Sequence, residues 1–140
     1  MQLAMFTSKA DEGRSESAVR FLPVAEGPPG GAHGAAVVTA FDTCIWSTPA
    51  VARLVSVSPD QEEVGFTASL TVDFRKVVPL ETTLLIRCSL VGAEPSSSDP
   101  LKTKWTMQAE LRSNGEGDGV VYGTASALII SVRTPAAPSL

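Results

Sequence analysis

The sequence holds one histidine and two cysteines in 140 residues, and this scarcity excludes most site chemistry at once. A zinc site built from histidine and cysteine would need nearly all of them together. Cys44 and Cys88 stand far apart in apolar surroundings, the setting of two reduced, buried thiols. His33 and Cys44 are 11 residues apart. On one helix that spacing is a rise of about 16 Å, too long for a Cys–His dyad within a chain. A serine triad would have to use the same histidine, and no G-x-S-x-G turn is present. Charge is sparse as well: Asp, Glu, Lys and Arg make up 19% of the chain and the net charge is −4, without the basic footprint of a nucleic-acid binder. No apolar run reaches the roughly 20 residues that span a bilayer. The longest, residues 35–46, is broken by Thr39 and Asp42. The opening MQLAMFTSKADEGR lacks a basic end and a continuous apolar block and carries Asp11 and Glu12. The expectation is a cytoplasmic protein, with a mitochondrial one as the alternative.

What is present is enough for one core. Residues 1–17 are polar and mixed, and read as a flexible N-terminal arm. A domain is expected over 18–133, and the composition of 134–140 reads as a disordered tail. Residues 18–25 (AVRFLPVA) suggest a short first strand that Pro23 confines to an edge. GPPGG at 27–31 is a concentrated turn signal. Residues 32–46 are small and apolar, and predict a helix held close to its surroundings on more than one side. Ser47 or Thr48 could cap a second short helix with Pro49 in its first turn. An acidic loop is expected at 59–63.

Beyond it the periodicity changes to two. In 64–75, Phe66, Ala68, Leu70, Val72 and Phe74 alternate with Thr67, Ser69, Thr71, Asp73 and Arg75, the pattern of a strand with one buried face. Further strands are expected at 82–90, 102–112 (with Trp105, Met107, Ala109 and Leu111 inward) and 120–133. An exposed loop is expected at 92–100 and a turn at 114–119. One helix must then cover the apolar face of the whole sheet. That is an α+β arrangement, with a curled antiparallel sheet wrapped around one central helix.

Asp42 is the most informative residue. It lies in AAVVTAFDTCIW, a segment otherwise suited only to burial, where an unpaired carboxylate is costly. It is either a satisfied structural group or a functional one. The glycines just upstream let backbone approach a ligand closely. The unsatisfied N–H groups that open a helix can polarise a carbonyl or hold an oxyanion.

GPPGGAHGAAVVTAFD resembles the helix-opening motif of the hotdog-fold acyl-CoA thioesterases, G-x-x-HGG-x6-D, with His33 and Asp42 at that family's spacing of nine. FTASLTVDFRKVVPL, residues 66–80, looks like the following strand of superfamily members with a threonine in the active site. The resemblance extends over residues 19–132 and implies a hotdog fold. It further implies hydrolysis of a fatty acyl thioester to a free acid and coenzyme A, which is part of the substrate, with no metal or other cofactor.

By the same resemblance Asp42 is the nucleophile or the base that activates water. The Gly34 N–H polarises the carbonyl, His33 fixes the leading loop, and Thr67 orients the water or the carboxylate. Arg75 and Lys76 are candidates for the phosphates of coenzyme A. Ala35 stands where the motif has its second glycine, and Val77 where a proline is expected. Two other readings are a non-catalytic acyl-CoA-binding or structural protein of the same fold, and a hydratase or dehydratase pairing His33 with Asp42.

Two geometric expectations follow. Alternation puts Thr67 on the polar face of its strand. It can meet Asp42 only through a bulge, with Gly65 as the suspected place, or across a subunit interface. Nine residues turn a helix by a net half-turn and advance it about 13.5 Å, so the leading loop and Asp42 cannot serve one carbonyl within one chain. A homodimer, or a dimer of dimers, with shared active sites can bring them together.

Overall fold

The structure, a computed structural model, describes residues 4–55, 62–115 and 119–134. Its long helix is α1, Gly34–Ile45. Ala36, Val37, Ala40, Phe41, Cys44 and Ile45 are buried, at the spacings that keep one stripe facing the core. The alanines let the helix lie close to the sheet. Phe41, fully buried, contributes about 1.5–3 kcal/mol by leaving water. Ala35, Thr39 and Thr43 are exposed, so a single chain leaves one side of the helix open, against the expectation of enclosure on more than one side. α2, Pro49–Ala52, has its proline in the first turn as expected. Thr48 stands at its N-terminal cap without a capping bond, and its hydroxyl pairs with Ser15 Oγ at 2.9 Å.

Six strands form one antiparallel sheet: β1 Ala4–Asp11, β2 Arg14–Phe21, β3 Glu63–Phe74, β4 Leu84–Pro95, β5 Lys102–Ser113 and β6 Val121–Arg133, in the order β1-β2-β4-β5-β6-β3. The sheet curls around α1. On β5 the expected residues face inward: Trp105, Met107, Ala109 and Leu111 are all buried. β6 alternates with them through Ala125, Ala127, Ile129 and Ser131.

Three expectations are corrected. Residues 4–17 are no arm: β1 and β2 pair along Ala4↔Phe21 to Asp11↔Arg14. β2 is an interior strand, paired with β4 on its other side, and it ends at Phe21, before Pro23 is reached. Its inward positions begin with Ser15 and Ser17, both buried, so hydroxyls occupy places that a sequence pattern assigns to apolar residues. β4 runs on past Leu90: after a bulge at Leu90/Gly92 it pairs to Pro95↔Thr103, inside the expected loop. Most of the acidic loop, the middle of the 114–119 turn and residues 135–140 lie outside the described residues.

Cys44 and Cys88 are free and buried. Burial pushes the Cys44 thiol from an ordinary 9.0 up to about 11 and the Cys88 thiol up to about 12, against weaker pulls from Ser17 and Ser15. Both thiols are therefore expected to resist a disulfide reagent at pH 8 in the folded protein and to react promptly in guanidinium. Because the folded values are raised, the unfolded chain loses these protons first. The contribution of the two thiols to stability is full below pH 9 and is lost as pH rises from about 9 toward 11 and 12. Chemical denaturation across that window checks the sign.

Candidate active site

The loop ahead of α1 is folded tightly on itself. Gly27 N–H donates to Gly31 O at 2.9 Å, Gly31 N–H to Pro28 O at 2.8 Å and Ala32 N–H to Val78 O at 2.7 Å. Gly30 has φ +76°, a conformation that side chains disfavour. A Cβ on Gly31 would stand 2.4 Å from Val77 Cγ1, so this glycine exists to let β3's continuation close over the loop. His33 forms the cap of α1, its Nδ1 accepting the Ala35 N–H at 3.0 Å. The imidazole thus uses one of the free donors that open a helix. Ala36 and Val37 donate to His33 O. The Gly34 N–H is left without an acceptor among the described residues. A Cβ at Gly34 would meet only the Phe74 ring, at 3.6 Å, so this position is open toward solvent.

Asp42 is half-buried, less enclosed than its apolar neighbours suggest. Val38, Asp42 and Trp46 are all half-buried and follow one another at four-residue spacing, which places them along one edge of the helix. Thr67 reaches that edge from β3: its hydroxyl donates to Asp42 Oδ1 at 2.9 Å. The contact is made within one chain.

A bulge makes it possible. β3 pairs with β6 as Phe66↔Ile130 and Thr67↔Ile129, then resumes as Ser69↔Leu128 and Leu70↔Ala127. Ala68 is the extra residue. Before it, Thr67 shares the inner face with buried Ile129; after it, Leu70 and Val72 share that face with Ala127 and Ala125 and pack against the core. One inserted residue flips the strand's facing. The face expected to be buried is thus split. Phe66 and Val64, before the bulge, point outward and are 53% and 50% exposed. The bulge lies between Thr67 and Ser69, not at Gly65. Gly65 is small for another reason: a Cβ there would lie 2.9 Å from Leu54 Cβ and 3.3 Å from Trp46 Cη2.

Arg75 and Lys76 follow β3 directly, and both of their N–H groups donate to Tyr122 O. Both residues are exposed, and neither makes an ion pair among the described residues. Phe74, next to Arg75, packs beside Gly34, so the two cations lie toward the N-terminal end of α1. The structure brings Asp42 to Thr67, and His33 and Gly34 to one loop, but leaves the two pairs apart. From Gly34 to Asp42 is eight residues, about 12 Å of rise and a net rotation near 80°. The half-turn applies to His33; for Gly34 it is the axial distance that separates.

Trp46 is a residue that the sequence reasoning misses. Its indole N–H donates to Thr67 Oγ1 at 2.9 Å. The signal available was its place four residues after Asp42, on the same helical edge. Two surface clefts, of about 650 and 470 Å3, lie away from Asp42. In the first, Lys9 and Arg87 are both paired with Glu16, and the Arg87 hydrogen bond holds that carboxyl below the usual range. Among the described residues no group of His, Cys, Asp and Glu could hold a metal ion, and no helix is long and apolar enough to cross a membrane.

The chain matches no protein-family model and no curated protein sequence. Solved structures do match. A hypothetical thioesterase of Streptococcus pneumoniae, in a variant with alanine for a threonine, superposes with a TM-score of 0.70 at 14% identity, over 93% of this chain and 92% of that one. The same protein was solved with coenzyme A, with a TM-score of 0.68 at 14% identity, over 93% and 91% of the two chains. A Streptococcus mutans protein bound to acetyl-CoA gives a TM-score of 0.68 at 12% identity, covering 96% of this chain and 94% of that one. With its single curled sheet around α1, the chain has the hotdog fold of these structures.

Proposed function

We propose that this protein hydrolyses acyl-CoA thioesters, with Asp42 as the nucleophile or as the base that activates water. The observation that carries this reading is the Thr67–Asp42 hydrogen bond of 2.9 Å, created by a bulge at the one place where the strand passes that carboxylate. Bulges re-aim side chains beside active sites. The fold is shared with thioesterases of which one was solved with coenzyme A, and this supports the substrate class. In either route the C–S bond breaks, the acyl group gains an oxygen that comes ultimately from water, and coenzyme A leaves as the thiol. The free Gly34 N–H, at the positive end of a 12-residue helix, suits the carbonyl oxygen as it gains charge. Arg75 and Lys76, exposed and without an ion pair among the described residues, suit the phosphates.

The same reading includes a homodimer, or a dimer of dimers. β3 is an edge strand of the sheet, and it exposes Val64 and Phe66. An unpaired edge with apolar neighbours invites pairing with another copy.

The test is thiol release from a panel of acyl-CoA and enoyl-CoA compounds of graded chain length. Release from saturated acyl-CoA supports hydrolysis. Hydration of enoyl-CoA without thiol release favours a hydratase, and tight binding without turnover favours a binding protein. Thr67 gives a narrower check. An orienting hydroxyl on a carboxylate is worth about one charge-assisted hydrogen bond. Thr67→Ala is therefore expected to lower kcat about 10- to 100-fold with little change in KM, and Thr67→Ser to be mild. Unchanged kcat in Thr67→Ala would detach Thr67 from the mechanism.

A further inference from the structure

Thr67 has one hydroxyl proton, and two neighbours compete to define where it points. Trp46 Nε1 can only donate, and it lies 2.9 Å from Thr67 Oγ1. Asp42 Oδ1 as a carboxylate can only accept, and it lies 2.9 Å on the other side. The indole therefore takes a lone pair of Thr67 and leaves its proton to Asp42. Oδ1 is then occupied, and Oδ2 has no hydrogen bond among the described residues and stays free for the reacting partner. The indole is itself held. It packs against the core, and its far edge lies over Gly65, where a Cβ would come within 3.3 Å of Cη2. Leu54 fills the rest of that space, 2.9 Å from the same point. Gly65 thus admits the ring edge, and the four-residue offset from Asp42 puts the N–H within reach of Thr67.

We propose that Trp46 is a positioning residue: its N–H fixes the Thr67 hydroxyl on Oδ1 of Asp42 and so sets which carboxylate oxygen faces the substrate. The catalytic consequence rests on the thioesterase reading above; the hydrogen-bond relay itself does not.

Two measurements test it. The first is a cycle of Trp46→Phe, which keeps an aromatic ring and removes the donor, in wild type and in Thr67→Val. With wild-type Thr67, kcat is expected to fall about fivefold to tenfold, the scale of one hydrogen bond, with KM nearly unchanged. In Thr67→Val, the same substitution is expected to change kcat less than about twofold, because the relay is already cut. An equal fall in both backgrounds would mean that the ring matters only as bulk, and the proposal would be wrong. No fall in wild type would also overturn it.

The second measurement is independent of turnover. The chain has two tryptophans, and the indole resonance lost in Trp46→Phe identifies the one concerned. Its Nε1–H is expected to shift and to exchange faster with solvent in Thr67→Val, and to stay near its wild-type position in Thr67→Ser. An indole resonance indifferent to Thr67→Val would overturn the relay whatever the activity. If the resonance responds as expected while the wild-type protein releases no thiol from any acyl-CoA, the relay stands and the thioesterase reading falls.

Discussion

Asp42→Asn is expected to lower kcat for acyl-CoA hydrolysis by at least about 10³-fold, the scale lost when an essential group is removed. The substitution is close to isosteric. An asparagine oxygen can still accept the Thr67 hydroxyl that reaches Oδ1 at 2.9 Å, so the contact between α1 and β3 should be kept. What is lost is the charge and the ability to attack or to take a proton. Folding stability should change by no more than about 1 kcal/mol, since Asp42 is only half-buried and exchanges one satisfied acceptor for another. The pairing of a large kinetic effect with a small thermodynamic one separates a chemical role from a structural one. Near-normal turnover in a folded Asp42→Asn protein would end the mechanism proposed for Asp42. Thermal or guanidinium unfolding, run beside the kinetics, establishes that the protein is folded.

What the sequence makes legible here depends on how simply a residue's surroundings repeat. On β5 each alternate side chain is buried, so Trp105, Met107, Ala109 and Leu111 declare the strand and its inner face together. α1 is equally plain, because its buried residues keep helical spacing and its start is marked by a glycine-rich turn. β2 is not plain. Its inward positions include Ser15 and Ser17, and Ser15 bonds Thr48 Oγ1 and the Cys44 carbonyl. Satisfied buried hydroxyls look, in a hydropathy pattern, like solvent-facing residues, so β1 and the first half of β2 read as an arm. The bulge in β3 was equally hidden. The alternation of Phe66, Ala68, Leu70, Val72 and Phe74 is unbroken on paper, and nothing at Ala68 marks an inserted residue. Glycine often marks bulges, whereas Gly65 makes room for Leu54 and Trp46. The Thr67–Asp42 contact was accordingly legible only as a demand: if both residues act together, the strand must break its register between them.

Mixing two inactive variants is expected to restore activity. A thioester carbonyl can be served only by groups within about 3–3.5 Å of its reacting atoms, and the Gly34 N–H and Asp42 of one chain are about 12 Å apart along the helix. In a two-fold dimer each site can take its N–H from one subunit and its carboxylate from the other. Asp42→Asn removes the carboxylate. Gly34→Val covers the N–H, and it should fold, because a Cβ at Gly34 meets only the Phe74 ring at ordinary contact distance, 3.6 Å. Each homodimer should be inactive. A heterodimer holds one site in which both groups are intact and one in which both are damaged. When equal amounts are unfolded and refolded together, about half of the dimers are mixed, and about a quarter of wild-type activity should return by symmetry. Differently tagged subunits allow the heterodimer to be isolated, where the expected value rises to about half. Purified heterodimers as inactive as their parents would show that Asp42 acts within its own chain. The shared-site arrangement would then fail.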